Sequence, residues 1–343
     1  MTRSERTVLA LDAHGGDQGL DVSVPAALQA VAEDERLRIL LVGQRAPLED
    51  ALAAHGASGA DRIEVHPAET ILPMDVKSSA VLRRGRDSSL WQAFERVADG
   101  TADACVSGGS TAAMMVTGVR VLGMLEGIQR PALMAWVPSE SGFTALLDLG
   151  ANLQVSARHL VQFAVMGSVT AELAEGIARP RVGLLNVGHE DGKGHELVRE
   201  AHAMLLELPL NYIGFVEGHD IFGGAVDVAV CDGFVGNLIL KSTEGVARLM
   251  LQRIRTALAE TPMARSGAAL AAPSLRRALA RLDPSAHNGA PLLGLRRIAV
   301  KSHGGADLAG MTRAILEAGR EARRQVPRKI ETSIHNYKLE MSA

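Results

Sequence analysis

Short apolar runs recur along the chain, each closed by glycine, aspartate or asparagine and followed by a longer pattern with apolar residues at spacings of three and four. That alternation admits few folds. Two parallel strands need a crossover of a dozen or more residues, usually a helix, and repeated βα units stack into a mainly parallel sheet covered by helices on both faces. The runs predict strands at Thr7–Asp12, Arg38–Gly43, Asp103–Ser107, Thr144–Asp148, Arg181–Val187, Asn211–Val216, Val226–Cys231 and Arg297–Lys301. Helical periodicity is clearest at Ser88–Ala98, Ala157–Glu175 and His195–Leu206. A chain of 343 residues with 47% hydrophobic content can bury a sizeable core, and we expect one α/β domain over residues 1–330, with two subregions around a cleft, then a polar tail over 331–343.

One region breaks the rhythm. From Gly236 to residue 284 there is no strand-like run, only two helical patterns interrupted around Thr261–Gly267 and at Pro273, which predicts a helical hairpin arm over 236–284. Basic residues dominate it, among them Lys241, Arg248, Arg276, Arg277 and Arg281. Such an arm is either a solvated helix face with a dimer contact or a dock for anionic lipid or an acidic protein.

Composition removes several classes. A formal charge of −3 and 3% aromatic residues give neither the electrostatic footprint of a nucleic-acid binder nor its stacking platform. Cys105 and Cys231 are the only cysteines, too few for a disulfide framework and placed as buried core thiols, so a reducing cytoplasm fits. Met1–Arg6 lacks the apolar segment of a secretory leader, and no apolar window approaches the roughly 20 residues of a spanning helix. The eleven histidines include no HExxH and no close His/Cys cluster, so no metal site is expected.

Chemistry is expected at strand ends, where glycine turns lead into helix N-termini that attract anions. Five turns have this form: Asp12 to Asp17 with Gly15 and Gly16; Ser107 to Thr111 with Ser110; Asn186 to Gly194 with Lys193; Asp232 to Asn237 with Gly233 and Gly236; and Lys301 to Gly305 with His303. Any one of them could be a tight structural turn. Neither GxGxxG nor GxxxxGK[ST] occurs at these turns, which disfavours dinucleotides and nucleoside triphosphates but leaves phosphate in another form open. Lys193, between Gly192 and Gly194, is either a functional cation or a solvated loop lysine.

Taken in order, ten stretches resemble the acyl-ACP:phosphate acyltransferase family, called PlsX, from Val8 to about Ile315. They are LDAHGGD at 11–17, RDSSL at 86–90, SGGSTAAMM at 107–115, LLDLGAN at 146–152, QFAVMGS at 162–168, RPRVGLLNVG at 179–188, KGHELVREA at 193–201, NYIGFVEGHDIF at 211–222, CDGFVGNLILKSTEG at 231–245 and GAPLLGL at 289–295. The resemblance implies a three-layer α/β/α fold similar to phosphotransacetylase and the isocitrate/isopropylmalate dehydrogenases. It also implies a homodimer without metal or redox cofactor. The implied substrates are acyl carrier protein and inorganic phosphate, the product acyl phosphate for phospholipid synthesis, received by a membrane glycerol-3-phosphate acyltransferase. His14, Ser110, Ala112, His189, His195 and His219 depart from the family pattern.

Phosphate is already an anionic nucleophile at neutral pH, so such a reaction needs cations and amides rather than a nucleophilic triad. On that logic Lys193 or Lys301 neutralises phosphate, while Ser110, Thr111 and backbone amides hold the phosphate or the oxyanion. His303 is a proton donor, and Asp12, Asp17 and Asp232 orient the donors. Gly15, Gly16, Asn186, Gly194, Gly233, Gly236 and Asn237 shape the turns against the ligand, and Arg276, Arg277 and Arg281 face the carrier protein or the membrane. A phosphotransacetylase using acyl-CoA and a non-catalytic membrane-surface scaffold are the competing expectations.

Overall fold

The computed structural model describes residues 6–57, 61–280 and 288–337. Among these residues eleven strands form one sheet: β1 (Thr7–Asp12), β2 (Leu37–Gly43), β3 (Ile63–Pro67), β4 (Ala104–Ser107), β5 (Ala132–Ser139), β6 (Gly142–Leu147), β7 (Val182–Leu185), β8 (Tyr212–Val216), β9 (Val228–Val230), β10 (Ala290–Leu293) and β11 (Ile298–Lys301). Their spatial order is β3-β2-β1-β4-β11-β10-β5-β6-β9-β7-β8. Alternation along each strand sorts side chains between faces: Leu9 and Leu11 join a core with helices Leu20–Glu33 and Leu308–Arg324, while Ala10 joins the core on the opposite face. A further core sits under helices Ala157–Glu175 and Val326–Asn336. Helices thus cover both faces, giving three layers.

The direction of the strands decides where turns can meet. β3, β2, β1, β4 and β11 are mutually parallel, and so are β6, β9, β7 and β8. Between the two sets lie three antiparallel steps in succession, β11 to β10, β10 to β5 and β5 to β6. An odd number of reversals points the two sets oppositely, so their carboxyl ends lie along opposite edges of the sheet.

The arm is two helices, Gly233–Ala259 and Pro262–Ala280, packed on one another. The break falls at Glu260–Thr261, and Pro273, expected to interrupt a helix, lies inside one. Residues 331–336, expected as polar tail, continue the helix Val326–Asn336 and bury Ile334.

Candidate active site

Three of the five turns meet. β4 lies between β1 and β11 in register, Asp12 opposite Ser107 and Ser107 opposite Lys301. Ser107 Oγ donates to Asp12 Oδ2 at 2.6 Å and accepts from Gly109 N–H at 3.0 Å, while Ser302 N–H donates to Ser107 O at 2.9 Å. Asp17 N–H donates to Gly304 O at 2.8 Å, closing the β1 turn onto the β11 turn. Glycine is required where these backbones touch: a Cβ on Gly15 would lie 2.6 Å from Asp12 Oδ2 and 2.8 Å from Gly109 N.

Lys301 reaches back across this junction. Only 8% exposed, its ammonium donates to Gly108 O at 3.1 Å and to Ser302 O. Burial pulls its pKa down to about 8, opposed by Asp12 and Asp17 and reinforced by Lys241. An ammonium has three N–H donors, so two carbonyls leave one for a ligand. Asp12 is buried too, and burial raises its pKa against the hydrogen bonds from Ser107 and Ser89. Its Oδ1 has no hydrogen-bond partner among the described residues.

Ser110 caps the helix Thr111–Val121 through its side chain, and with Thr111 it stands half-buried at that N-terminus, beside the Gly108–Gly109 turn. Aligned N–H groups there form an anion site in general terms. His303 is exposed on the β11 turn; its Nδ1 accepts from Gly305 N–H at 3.1 Å and its Nε2 lies 3.3 Å from Lys241 Nζ. Partial burial, then the Lys241 charge, hold His303 below the ordinary histidine range. Asn288 ties the turn down, donating to Ser302 Oγ at 2.8 Å and accepting from His303 N–H at 2.9 Å. Lys241 and Asn288 were not among the site residues expected from sequence: Lys241 lies 62 residues from His303, and Asn288, 14 residues before Ser302, has no local pattern that marks it.

The other two turns lie on the opposite edge. Asp232 caps the helix Gly233–Ala259, accepting from Phe234 N–H at 2.9 Å and Val235 N–H at 3.0 Å. Gly233 and Gly236 press on the segment after β6, where a Cβ on Gly236 would lie 2.0 Å from Asp148 O, and Asn237 packs beside Gly150. Asp148 anchors that segment from the core. It accepts from Leu133 N–H at 3.0 Å and Asn152 N–H at 2.6 Å, and burial raises its pKa. The β7 turn is separate again: Asn186 Nδ2 donates to Lys193 O at 3.2 Å, and Gly194 adopts φ 84° where a Cβ would strike Asn186 Oδ1. Lys193 is exposed there, five strands from β11, or roughly 24 Å at sheet spacing. The expected convergence of all five turns therefore reduces, within one chain, to the turns after β1, β4 and β11.

Both cysteines are buried, and burial pushes each thiol well above its ordinary pKa, which leaves them unsuited to nucleophilic work. Arg276 and Arg277 lie within the helix Pro262–Ala280, and Arg281 lies outside the described residues. Among the described residues no helix is long and apolar enough to cross a membrane.

Comparison with known proteins matches residues 7–329 to a protein-family model described as "Fatty acid synthesis protein". A phosphate acyltransferase of Alkalilimnicola ehrlichii is 49% identical over 333 residues, 97% of each chain, and one of Shewanella amazonensis is 45% identical over 337 residues, 98% of each. Among solved structures, a phosphotransacetylase from Streptococcus pyogenes superposes with a TM-score of 0.63 at 18% identity, covering 93% of this chain and 94% of that one. A branched-chain phosphotransacylase from Enterococcus faecalis gives 0.58 at 13% identity, covering 92% and 99%. At such identities the structural likeness speaks for the fold alone.

Proposed function

The chain belongs to the phosphate acyltransferase family, and from that premise we propose that it moves a fatty acyl group from an acyl carrier protein thioester onto inorganic phosphate, a step of phospholipid synthesis. The observation that carries the assignment of the site is the buried lysine at the meeting of three glycine-lined strand ends. Phosphate seats between Lys301 and the helix N-terminus at Ser110 and Thr111, its charge met by the ammonium and by amide N–H groups. One phosphate oxygen attacks the thioester carbonyl; the C–O bond forms, the carbonyl electrons move to oxygen, and the tetrahedral oxyanion is held by backbone N–H groups of the Gly108–Gly109 turn. Each well-aimed donor is worth about 3–4 kcal/mol. Collapse breaks the C–S bond and releases the carrier thiolate. That thiol has a pKa of about 8.5, close to Lys301, so weak proton donation from Lys301, or from His303 in its imidazolium form, suffices.

The same reading gives the arm its task. Phe234, Leu238, Val246, Leu249, Met250, Met263 and Leu270 are exposed along it, amid Arg248, Arg253, Arg255 and Arg265. A cytoplasmic homodimer would cover part of that apolar surface. The rest, with the basic residues through Arg281, would meet acidic carrier protein or anionic membrane, where the product passes to a membrane glycerol-3-phosphate acyltransferase. Two parts of the sequence expectation enter on the same footing: one catalytic domain over 1–330, and Lys193, Asn186 and Gly194 as a second anion-facing turn.

The test is formation of acyl phosphate from palmitoyl-ACP and phosphate, trapped with hydroxylamine, beside palmitoyl-CoA and acetyl-CoA. Turnover with the ACP donor is expected. Turnover confined to CoA donors would assign a phosphotransacetylase-like activity, and silence with all three would assign a scaffold.

A further inference from the structure

A second constellation lies apart from the turns after β1, β4 and β11. β7 and β8 are parallel neighbours at the end of the sheet, so the turns that follow them stand side by side. The β7 turn supplies His189, and the β8 turn supplies Glu217, His219 and Asp220. One ligand atom from each of His189, His219 and Asp220 falls within a common span of 4.8 Å.

Hydrogen bonding sets the tautomer of His189. Its Nδ1 lies 3.0 Å from Phe215 O, and a carbonyl only accepts, so Nδ1 carries the proton and the lone pair of the neutral ring is on Nε2. That nitrogen faces Asp220 Oδ2 at 3.5 Å and Glu217 Oε1 at 3.7 Å. His219 approaches from the other side, with Nε2 3.4 Å from Asp220 Oδ1 and Nδ1 3.9 Å from Glu217 Oε2. A ring lone pair facing two carboxylates, as at His189, is repelled unless a metal ion or a proton lies between. Asp220 is the best-held member, 16% exposed in its side chain and accepting from Glu217 N–H at 2.7 Å. Asp220 turns Oδ2 to His189 and Oδ1 to His219, and each pair taken singly is close to the edge of a tetrahedron with metal–ligand bonds of about 2.0–2.1 Å, roughly 3.3 Å, so an ion would draw the 4.8 Å span of the three ligand atoms inward onto one of these oxygens. A ring N–H given to a backbone carbonyl is the usual support of a metal-bound histidine.

We infer that His189, His219 and Asp220 bind a divalent transition-metal ion of the Zn2+ class, with Glu217 beside the fourth position. Two imidazoles and one carboxylate favour Zn2+ or Co2+ over Mg2+ or Ca2+, which take oxygen ligands almost exclusively. The ion clips the β7 turn onto the β8 turn and so fixes the segment carrying Asn186 and Lys193. It takes no part in the acyl transfer proposed above.

The test uses full-length, untagged protein freed of metal with a chelator and titrated calorimetrically with Zn2+. One ion per chain is expected, with affinity lowered about tenfold or more in His189→Ala, His219→Ala and Asp220→Asn, and unchanged in His55→Ala, an exposed histidine elsewhere. Zn2+ should raise the Tm of the parent and not of the His189→Ala variant, and Co2+ should give the visible absorption of a four-coordinate site. Circular dichroism of each metal-free variant verifies that it folds. Absence of saturable binding, or the same isotherm in His189→Ala and His219→Ala as in the parent, would overturn the inference and leave the cluster as histidine–carboxylate pairs with Glu217 and Asp220.

Discussion

Lys301 stands where a lysine is costly. An ammonium removed from water loses hydration that two carbonyls only partly replace, and the depressed pKa of about 8 records that loss. The group is charged at pH 7 and neutral above pH 9, whereas phosphate is already largely dianionic above pH 8. If the ammonium holds phosphate, KM for phosphate rises about tenfold per pH unit beyond 8 as the competent fraction falls. Lys301→Ala should lower kcat/KM by about a hundredfold or more and abolish that alkaline limb, while Lys193→Ala leaves the limb in place. Initial rates at varied phosphate from pH 6.5 to 9.5 decide this, and a limb that survives in Lys301→Ala moves the phosphate site elsewhere. Stability runs the other way: the unfolded lysine, with its pKa near 10.5, binds more protons between about pH 8 and 10.5, so this residue adds stability as pH rises through that window. Asp12, Ser107 and Lys301 were legible as strand ends because each ends an apolar run. His189 and His219 were not legible as partners, since thirty residues of chain separate them and only the pairing of β7 with β8 brings their turns together.

At the scale of elements, the helix Gly233–Ala259 begins on one edge of the sheet and carries Lys241 to His303 on the other, eight residues or about 12 Å along its axis. Its first turn depends on Asp232. Asp232→Ala removes Oδ1, the one oxygen that accepts from both N–H groups, and should cost about 1 kcal/mol, lowering the urea midpoint at constant m, with Asp232→Asn restoring most of it. An unchanged midpoint in Asp232→Ala would mean the helix is fixed by packing alone. Strands inside βα units were readable from sequence: β1 falls on the expected Thr7–Asp12, and β11 within Arg297–Lys301. The strands that escaped notice are β3, β5 and β10. β3 is a half-exposed edge strand containing Glu64 and His66, so its apolar signal is diluted. β5 and β10 are the antiparallel pair that reverses the sheet, and Pro138 and Pro291 within them argue locally against a strand. Missing those reversals is why five turns looked able to converge.

For the molecule as a whole, Glu321 marks a seam. It is 2% exposed on the helix Leu308–Arg324, beside a small apolar cavity shared with Leu293, Ile298, Val326 and Ile330, where the last two helices meet the central strands. Burial pushes its pKa up to about 8 and Glu317 adds to the shift, while Arg324, 3.8 Å away, offsets part of it. The folded carboxyl therefore holds its proton over a range, from about 4.5 to 8, in which the unfolded one has lost it, and stability falls as pH rises through that range. Glu321→Gln should raise Tm at pH 8, by roughly 1–2 °C per kcal/mol recovered in a chain of this length, and change it little at pH 5. Calorimetry at both pH values checks this; equal shifts would point to packing rather than charge.

The register of β4 also has a consequence in time. Its two neighbours come from opposite parts of the chain: β1 precedes it, and the contact from Lys301 to Gly108 spans 193 residues. On a ribosome adding about 5–20 residues per second, β4 waits roughly 10–40 s for β11 to emerge. Throughout that interval one side of β4 is an open edge over apolar Cys105 and Val106, the condition under which nascent chains aggregate or recruit chaperones. Assembly of the proposed phosphate site and closure of that edge are then the same event, which an unfinished chain cannot reach.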